Sequence, residues 1–253
     1  MGVAKLVVPA LRQRARRRIG RLRPGAATVV TVNWNSRPYL EVFLRTVPRR
    51  SPGNVEMLVV DNGSRDGSRR LLERSGQIRS LKLPVNIGHE LALDLAFLLV
   101  DTEYVVSLDV DAFPIRDDWL EQVLAPLSKG STISGARLNR HYVHPCFLAM
   151  HTERFVRCGH SFRSDYRGRT ATRDASGDAG EIMSAREGNG LHFFEATEQR
   201  GPGSVGTVFG HLVYHNFYST RFRTTNGDIL DKVIARDDPE RAWGEAVARF
   251  EAG

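Results

Sequence analysis

The sequence predicts an α/β fold, a mostly parallel sheet flanked by helices. Two observations carry that expectation. Through the first two-thirds of the chain, short β-branched runs alternate with stretches of helical apolar spacing, the order of strands joined by crossover helices. Three of those runs, TVVTVN (28–33), VEMLVVD (55–61) and YVVSLDV (104–110), are apolar almost throughout, as strands covered on both faces are.

Taken in order, residues 28–33 form the first strand and 39–47 a helix. Residues 55–61 form the second strand, ended by the turn-rich NGSRDGS, and 68–74 a short helix. IRSLKL (78–83) alternates as a half-buried strand does. Residues 89–99 are helical, entered through Asn86 and Gly88, residue types suited to turns and caps. The third strong strand, 104–110, precedes a helix over 117–127, with Pro114 before it and Pro126 near its end. After Gly130 the texture changes. TISGA and CFLAM read as further strands, while 161–190 is rich in Gly, Arg, Asp and Ser, the composition of a lid or binding loop. Residues 237–250 close the chain as an amphipathic helix with Pro239 in its first turn.

At 253 residues, 41% apolar and 26% charged, the chain suits one large domain. Its net charge of +7 is concentrated in Lys5, Arg12, Arg14, Arg16, Arg17, Arg18, Arg21 and Arg23; without those eight cations the remainder carries −1. The charge excess therefore belongs to a leader, read either as a frayed terminus or as a peripheral contact with anionic membrane through residues 5–23. The near-neutral body, without interleaved aromatic and basic motifs, argues against a nucleic-acid partner. No apolar stretch reaches the ~20 residues of a membrane span. The two cysteines, Cys146 and Cys158, form no CxxC pair, which points to a reduced, cytoplasmic setting. The expected organisation is a basic leader over 1–25, a catalytic domain over 26–230 and a C-terminal helix over 231–253. Within the domain, a donor half spans about 26–128 and an acceptor half about 129–230.

Ligands of open α/β sheets collect at the carboxyl ends of the strands. The three strongest strands end in Asn33 and Asn35, in Asp61, and in Asp109 and Asp111. In extended backbone, residues two apart point the same way, so Asp109 and Asp111 can approach one cation. An oxygen-rich site of that kind suits Mn²⁺ or Mg²⁺, which bridges phosphate oxygens. Asp61, at a strand end before a turn, can accept an N–H from a planar base; the bland alternative is an Asx-capped turn.

TVVTVNWNS, VVDNGSRDGS, PVNIGHELALDLA and YVVSLDVDAFP, in this order and spacing, resemble the nucleotide-binding half of a family 2 glycosyltransferase with the GT-A fold. The resemblance covers roughly residues 28–127, with looser similarity to about Tyr218. It implies an inverting transfer from a nucleotide diphosphate-sugar, a UDP-sugar being favoured, to an acceptor that no motif names. It implies that Asn33, Trp34, Asn35 and Asp61 surround the base, with Asn86, Gly88, His89 and Asp109 completing the nucleotide-sugar site. Asp109 and Asp111 become the metal-binding DxD, with a late histidine as third ligand; His215 is preferred to His211. The catalytic base is expected in GDAGEIMSARE, as Asp178 first and Glu181 second, and His144 and His141 fall on the acceptor side. Asp94 departs from the Asn common in the family, and pairs with His89, pairs with an Arg or caps helix packing. Two rivals remain. A nucleotidyltransferase acting on a sugar phosphate would carry a Gly-rich loop after the first strand, where NWNSRPYL has no glycine; a nucleic-acid-binding protein would act through the basic leader.

Overall fold

Strands whose successive residues are all apolar need cover on both faces, and the chain supplies it. The computed structural model of the protein describes residues 2–51, 53, 55–76, 78–137, 141–164, 179–199, 205–217 and 238–251. The chain runs through α1 (Gly2–Arg18), a 3₁₀ turn (Ile19–Arg21), β1 (Arg23–Asn33), α2 (Arg37–Arg49), β2 (Val55–Asp61), α3 (Ser68–Arg74) and β3 (Arg79–Lys82). It continues with α4 (His89–Leu99), β4 (Thr102–Leu108), β5 (Ala112–Pro114), α5 (Trp119–Ser128), β6 (Ile133–Arg137), β7 (Val143–His151) and α6 (Thr152–Arg157). The last elements are α7 (Glu181–Glu187), β8 (Leu191–Phe194), β9 (Ala196–Glu198), β10 (Thr207–Phe209), β11 (Val213–His215) and α8 (Pro239–Glu251).

The central sheet has the order β3-β2-β1-β4-β7-β6-β8. β3, β2, β1 and β4 are parallel neighbours, and β7 alone runs against the rest. Val29, Met57 and Val106 bury one face against Phe43 and Val47 of α2 and Trp119 and Val123 of α5. Val30, Leu58 and Val105 bury the other against Leu93, Ala96 and Phe97 of α4 and Phe155 of α6. Adjacent residues thus serve opposite layers, which is why the strands read as unbroken apolar runs. One consequence is that β1, β2 and β4 deliver their last residues to a single edge, where Asn33 and Asp61 stand in register.

A second, antiparallel sheet of order β5-β11-β10-β9 sits beside that edge. α8 fastens it: Trp243 packs 4.8 Å from the Tyr39 ring and 5.3 Å from Phe113, and Asn216 Nδ2 donates to the Pro239 carbonyl at 2.9 Å.

The leader differs from a frayed terminus. α1 packs on α4 and α6, with Ala15 buried and Val8, Leu11 and Ile19 partly so. Arg18 donates to the carbonyls of Leu98 (2.8 Å) and Val100 (2.6 Å), and Arg12 to that of His160 (2.5 Å). The physical reason is that a helix end leaves carbonyls without intrahelical partners, and a cation at the end of α4 satisfies them. β1 likewise begins at Arg23 rather than at residue 28. Among the described residues no helix is long and apolar enough to cross a membrane. The boundary expected between 230 and 231 lies outside the described residues.

Candidate active site at the carboxyl edge

β4 ends at Leu108, so Asp109 and Asp111 lie beyond the strand. They occupy a turn closed by the Ala112 N–H on the Asp109 carbonyl at 3.0 Å. The carboxylates converge through that turn, not through the two-residue alternation of extended backbone. The Asp109 N–H donates to the Cys146 carbonyl on β7 at 3.0 Å, fixing the turn to the sheet. β5 follows at once and pairs antiparallel with β11 in a register that sets His215 opposite Ala112. The Asn216 N–H donates to the Asp111 carbonyl at 2.9 Å, extending the same ladder. This register carries His215 to the acids: its Nε2 is 3.2 Å from Asp111 Oδ1 and 3.4 Å from Asp109 Oδ2. Phe217, an aromatic residue in the left-handed region (φ 57°), holds its ring 3.8 Å from that of His215.

One donor atom each of Asp109, Asp111 and His215 lies within 4.8 Å of the others. His89 Nε2 is 3.6 Å from Asp109 Oδ1, and Asp109 remains 20% exposed at the side chain. Burial opposes ionisation of Asp109, but the His215 hydrogen bond and the charge of His89 hold its carboxyl well below the usual carboxylate range. Burial also opposes charge on His215, yet negative charge on Cys146 and Asp111 and the hydrogen bonds to Asp109 and Asp111 raise it well above an ordinary imidazole. Asp109 Oδ1 and His215 Nδ1 are buried without hydrogen-bond partners. Two carboxylates and an imidazole with coordination capacity to spare make a donor set that fits a hard divalent cation.

The turn after β2 is built differently. Asp61 is fully buried, and its carboxylate accepts from Asn33 Nδ2 (3.0 Å), the Ser64 N–H (3.1 Å) and Arg69 Nε (3.0 Å). Asn33 Nδ2 also reaches Ser64 Oγ at 3.0 Å, and Asn35 Oδ1 accepts from the Arg65 N–H at 2.7 Å. The loops after β1 and β2 are thereby zipped together beside Trp34. Asn86 Oδ1 accepts from Asn62 Nδ2 (3.0 Å) and the Gly88 N–H (2.8 Å), joining the approach to α4 onto the same turn. Gly63 is required where the two meet: its φ is +84°, and a Cβ there would lie 2.6 Å from the Val85 backbone.

Glu181 opens α7, and Ser184 Oγ accepts from the Val143 N–H (3.1 Å) at the start of β7, the end of that strand nearest Asp109. Asp178 lies outside the described residues. Asp94 does not pair with His89; of the expected partners it meets an arginine, Arg12, in an ion pair. Its carboxylate accepts from Ser161 Oγ (2.5 Å) and the Phe162 N–H (2.8 Å), with Arg12 at 4.0 Å, so it clamps the chain after α6 onto α4. His211 sits exposed in the turn between β10 and β11, and His141 packs on Phe193 at 5.0 Å. Sequence reasoning missed Arg69 as the clamp on Asp61, though SRR directly after the DG turn was available. It also missed the buried Cys146 behind the half-buried His144, an acceptor-side candidate, where the Cys146 N–H donates to His144 Nδ1 at 3.1 Å.

A parallel sheet with an acidic, metal-competent edge and an appended antiparallel sheet is the GT-A architecture. Residues 28–183 match the family model described as glycosyl transferase family 2, and the chain belongs to that family. The mannosyltransferase PcManGT of Pyrobaculum calidifontis, solved with GDP-Man and Mn²⁺, shares the fold at TM-score 0.55 and 16% identity, over 99% of this chain and 88% of that one. TarS 1-349 of S. aureus, solved with UDP-GlcNAc, does so at 0.53 and 15%, over 70% and 60%. In sequence, the chain is 31% identical to a Bacillus subtilis protein named for teichuronic acid biosynthesis, the glycosyltransferase TuaG, over 38% of each. It is 27% identical to the teichoic acid poly(glycerol phosphate) polymerase of Staphylococcus epidermidis, over 33% of this chain and 12% of that protein. The chain thus spans well under two thirds of the length of the two sequence relatives, 38% of one and 12% of the other.

Proposed function

We propose that the protein transfers a glycosyl group from a nucleoside diphosphate-sugar, uridine favoured, to an acceptor hydroxyl with inversion. The observation that carries this reading is the convergence of Asp109, Asp111 and His215 on one point at the carboxyl edge of a parallel sheet. Those three residues would hold Mn²⁺ or Mg²⁺, which supplies positive charge against the departing diphosphate. Trp34 and Asn35 form the wall against which the base lies, braced from behind by the fully buried Asn33 and Asp61, while Asn86, Gly88 and His89 line the approach to the diphosphate. A carboxylate in the segment leading into α7, Asp178 or else Glu181, takes the proton from the acceptor hydroxyl. In-line placement of donor and acceptor contributes the rest. The exposed Arg14, Arg16, Arg17 and Arg21 on and just after α1 suit a cytoplasmic protein peripheral at an anionic membrane.

Thermal-shift measurements with UDP-, dTDP- and GDP-sugars, each with and without Mn²⁺, test the reading. A donor at a hundred times its dissociation constant adds about 2.7 kcal/mol of stability. A UDP-sugar with Mn²⁺ is expected to raise Tm more than either alone. If no nucleotide sugar shifts Tm in the presence of Mn²⁺, the reading fails. With the donor in hand, turnover of Asp178→Asn and Glu181→Gln separates the two acids.

A further inference from the structure

A second cluster of metal-ligating side chains lies at the opposite end of the sheet. One donor atom each of Cys158, His160 and Glu187 falls within 4.8 Å of the others. Glu187 closes α7 just before Gly190, whose carbonyl accepts from the Thr132 N–H at the start of β6, the amino edge of the sheet. Cys158 caps α6 and keeps its thiol exposed, whereas the side chains of His160 and Glu187 are each 2% exposed.

The backbone presents these groups ready-made. The Cys158 N–H bonds to the Arg154 carbonyl (3.0 Å), Gly159 turns the chain with a φ of 65°, and the His160 N–H bonds to the Phe155 carbonyl (3.0 Å). Arg12 of α1 holds the His160 carbonyl at 2.5 Å. His160 Nε2 lies 2.5 Å from Glu187 Oε1, and Glu187 Oε2 is fixed by Arg154 at 2.6 Å. The other ring nitrogen of His160, Nδ1, is buried and has no hydrogen-bond partner. The protein therefore leaves the imidazole half-satisfied in a place where a thiol and a carboxylate already face it.

We propose that Cys158, His160 and Glu187 form a second metal site, for a borderline-soft divalent cation, zinc foremost. Thiolate, imidazole and carboxylate are the donors zinc takes in four-coordinate sites, and the surface position of Cys158 leaves a fourth place for water. The Asp109, Asp111 and His215 set offers no sulfur and suits a harder ion, so donor chemistry sorts two metals between two ends of one sheet. The second site joins the end of α6 to the end of α7, the helices on either side of the segment that carries Asp178. Its role is to brace that frame, and it stands independently of the glycosyl-transfer reading.

The test uses the full chain, reduced and stripped of metal, with Co²⁺ as a spectroscopic substitute for zinc. A thiolate-to-cobalt charge-transfer band in the near ultraviolet should saturate at one ion per chain and disappear when Zn²⁺ is added. Cys158→Ser should abolish the band, and Asp111→Asn should retain it. Alkylating the exposed Cys158 in the folded wild-type protein gives the same answer without a variant: zinc should protect the thiol, and the alkylated protein should lose the band. Absence of a band in the wild type, or its survival in both Cys158→Ser and the alkylated protein, overturns the proposal.

Discussion

Two turns at the carboxyl edge each carry a carboxylate directly after a parallel strand. Asp61, after β2, has three donors on its two oxygens, supplied by the end of β1, the turn that follows β2 and the first turn of α3. Asp109, after β4, faces a second carboxylate and a histidine, and one of its oxygens is buried with nothing to accept from. An ionised carboxylate that is fully hydrogen-bonded stabilises the fold, whereas two that face each other with capacity unused are costly until a cation arrives. Similar sequence positions thus acquire opposite duties, and the difference lies in whether the neighbours donate.

The largest expected effect is on chemistry at the second turn. Asp111→Asn keeps the shape and removes a charge, so metal-dependent turnover should fall by roughly 10²–10⁴-fold, the several kcal/mol a bound cation contributes. Its Tm should move little, which a thermal melt checks beside the assay. Full activity in this variant would erase the distinction between the turns. Asp61→Ala should do the reverse. It leaves Asn33 Nδ2 and the Ser64 N–H without their acceptor, at about 1–3 kcal/mol for each buried donor stranded, and frees Arg69 Nε, which is 38% exposed and costs little because water replaces the carboxylate. Stability should fall, and uridine and guanosine nucleotides should lose affinity equally. Selective loss of uridine nucleotides in a protein of normal Tm would instead make Asp61 a reader of the base.

The smallest effect concerns protons. His215 is raised above the ordinary imidazole range, so near neutral pH it keeps a proton that a metal must displace. Asp109, held below the usual range, stays ionised and releases none. Apparent Mn²⁺ affinity should therefore rise with pH by up to about tenfold per unit, one proton leaving per ion bound, until His215 is neutral in the metal-free protein. Isothermal titration in buffers of different ionisation enthalpy reads that proton directly. A pH-independent affinity with no proton release would show that His215 is not displaced.

Much of this was legible in the sequence because it is local. The strand ending at Asp61, the short helix Ser68–Arg74 and the helix His89–Leu99 follow from runs and turn residues that need no distant partner. What was not legible depends on contacts across the chain. α1 looked like a solvated leader because its arginines hide the inward stripe of Val8, Leu11, Ala15 and Ile19. The partners of Asp94 were not legible because Ser161 and Phe162, which hold its carboxylate, lie 67 and 68 residues away. The meeting of Cys158 and His160 with Glu187 has no signature at all, since 27 residues separate His160 from Glu187.

The pairing of β11 with β5 has a consequence in time as well as in space. Asp111 and His215 are 104 residues apart, and chains are made from the N-terminus at about 5–20 residues per second. Several seconds therefore separate the appearance of the acids from that of the histidine. During that interval the emerging chain carries two of the three donors of the proposed cation site. If that site holds a cation, its donor set is complete only once synthesis has run past His215.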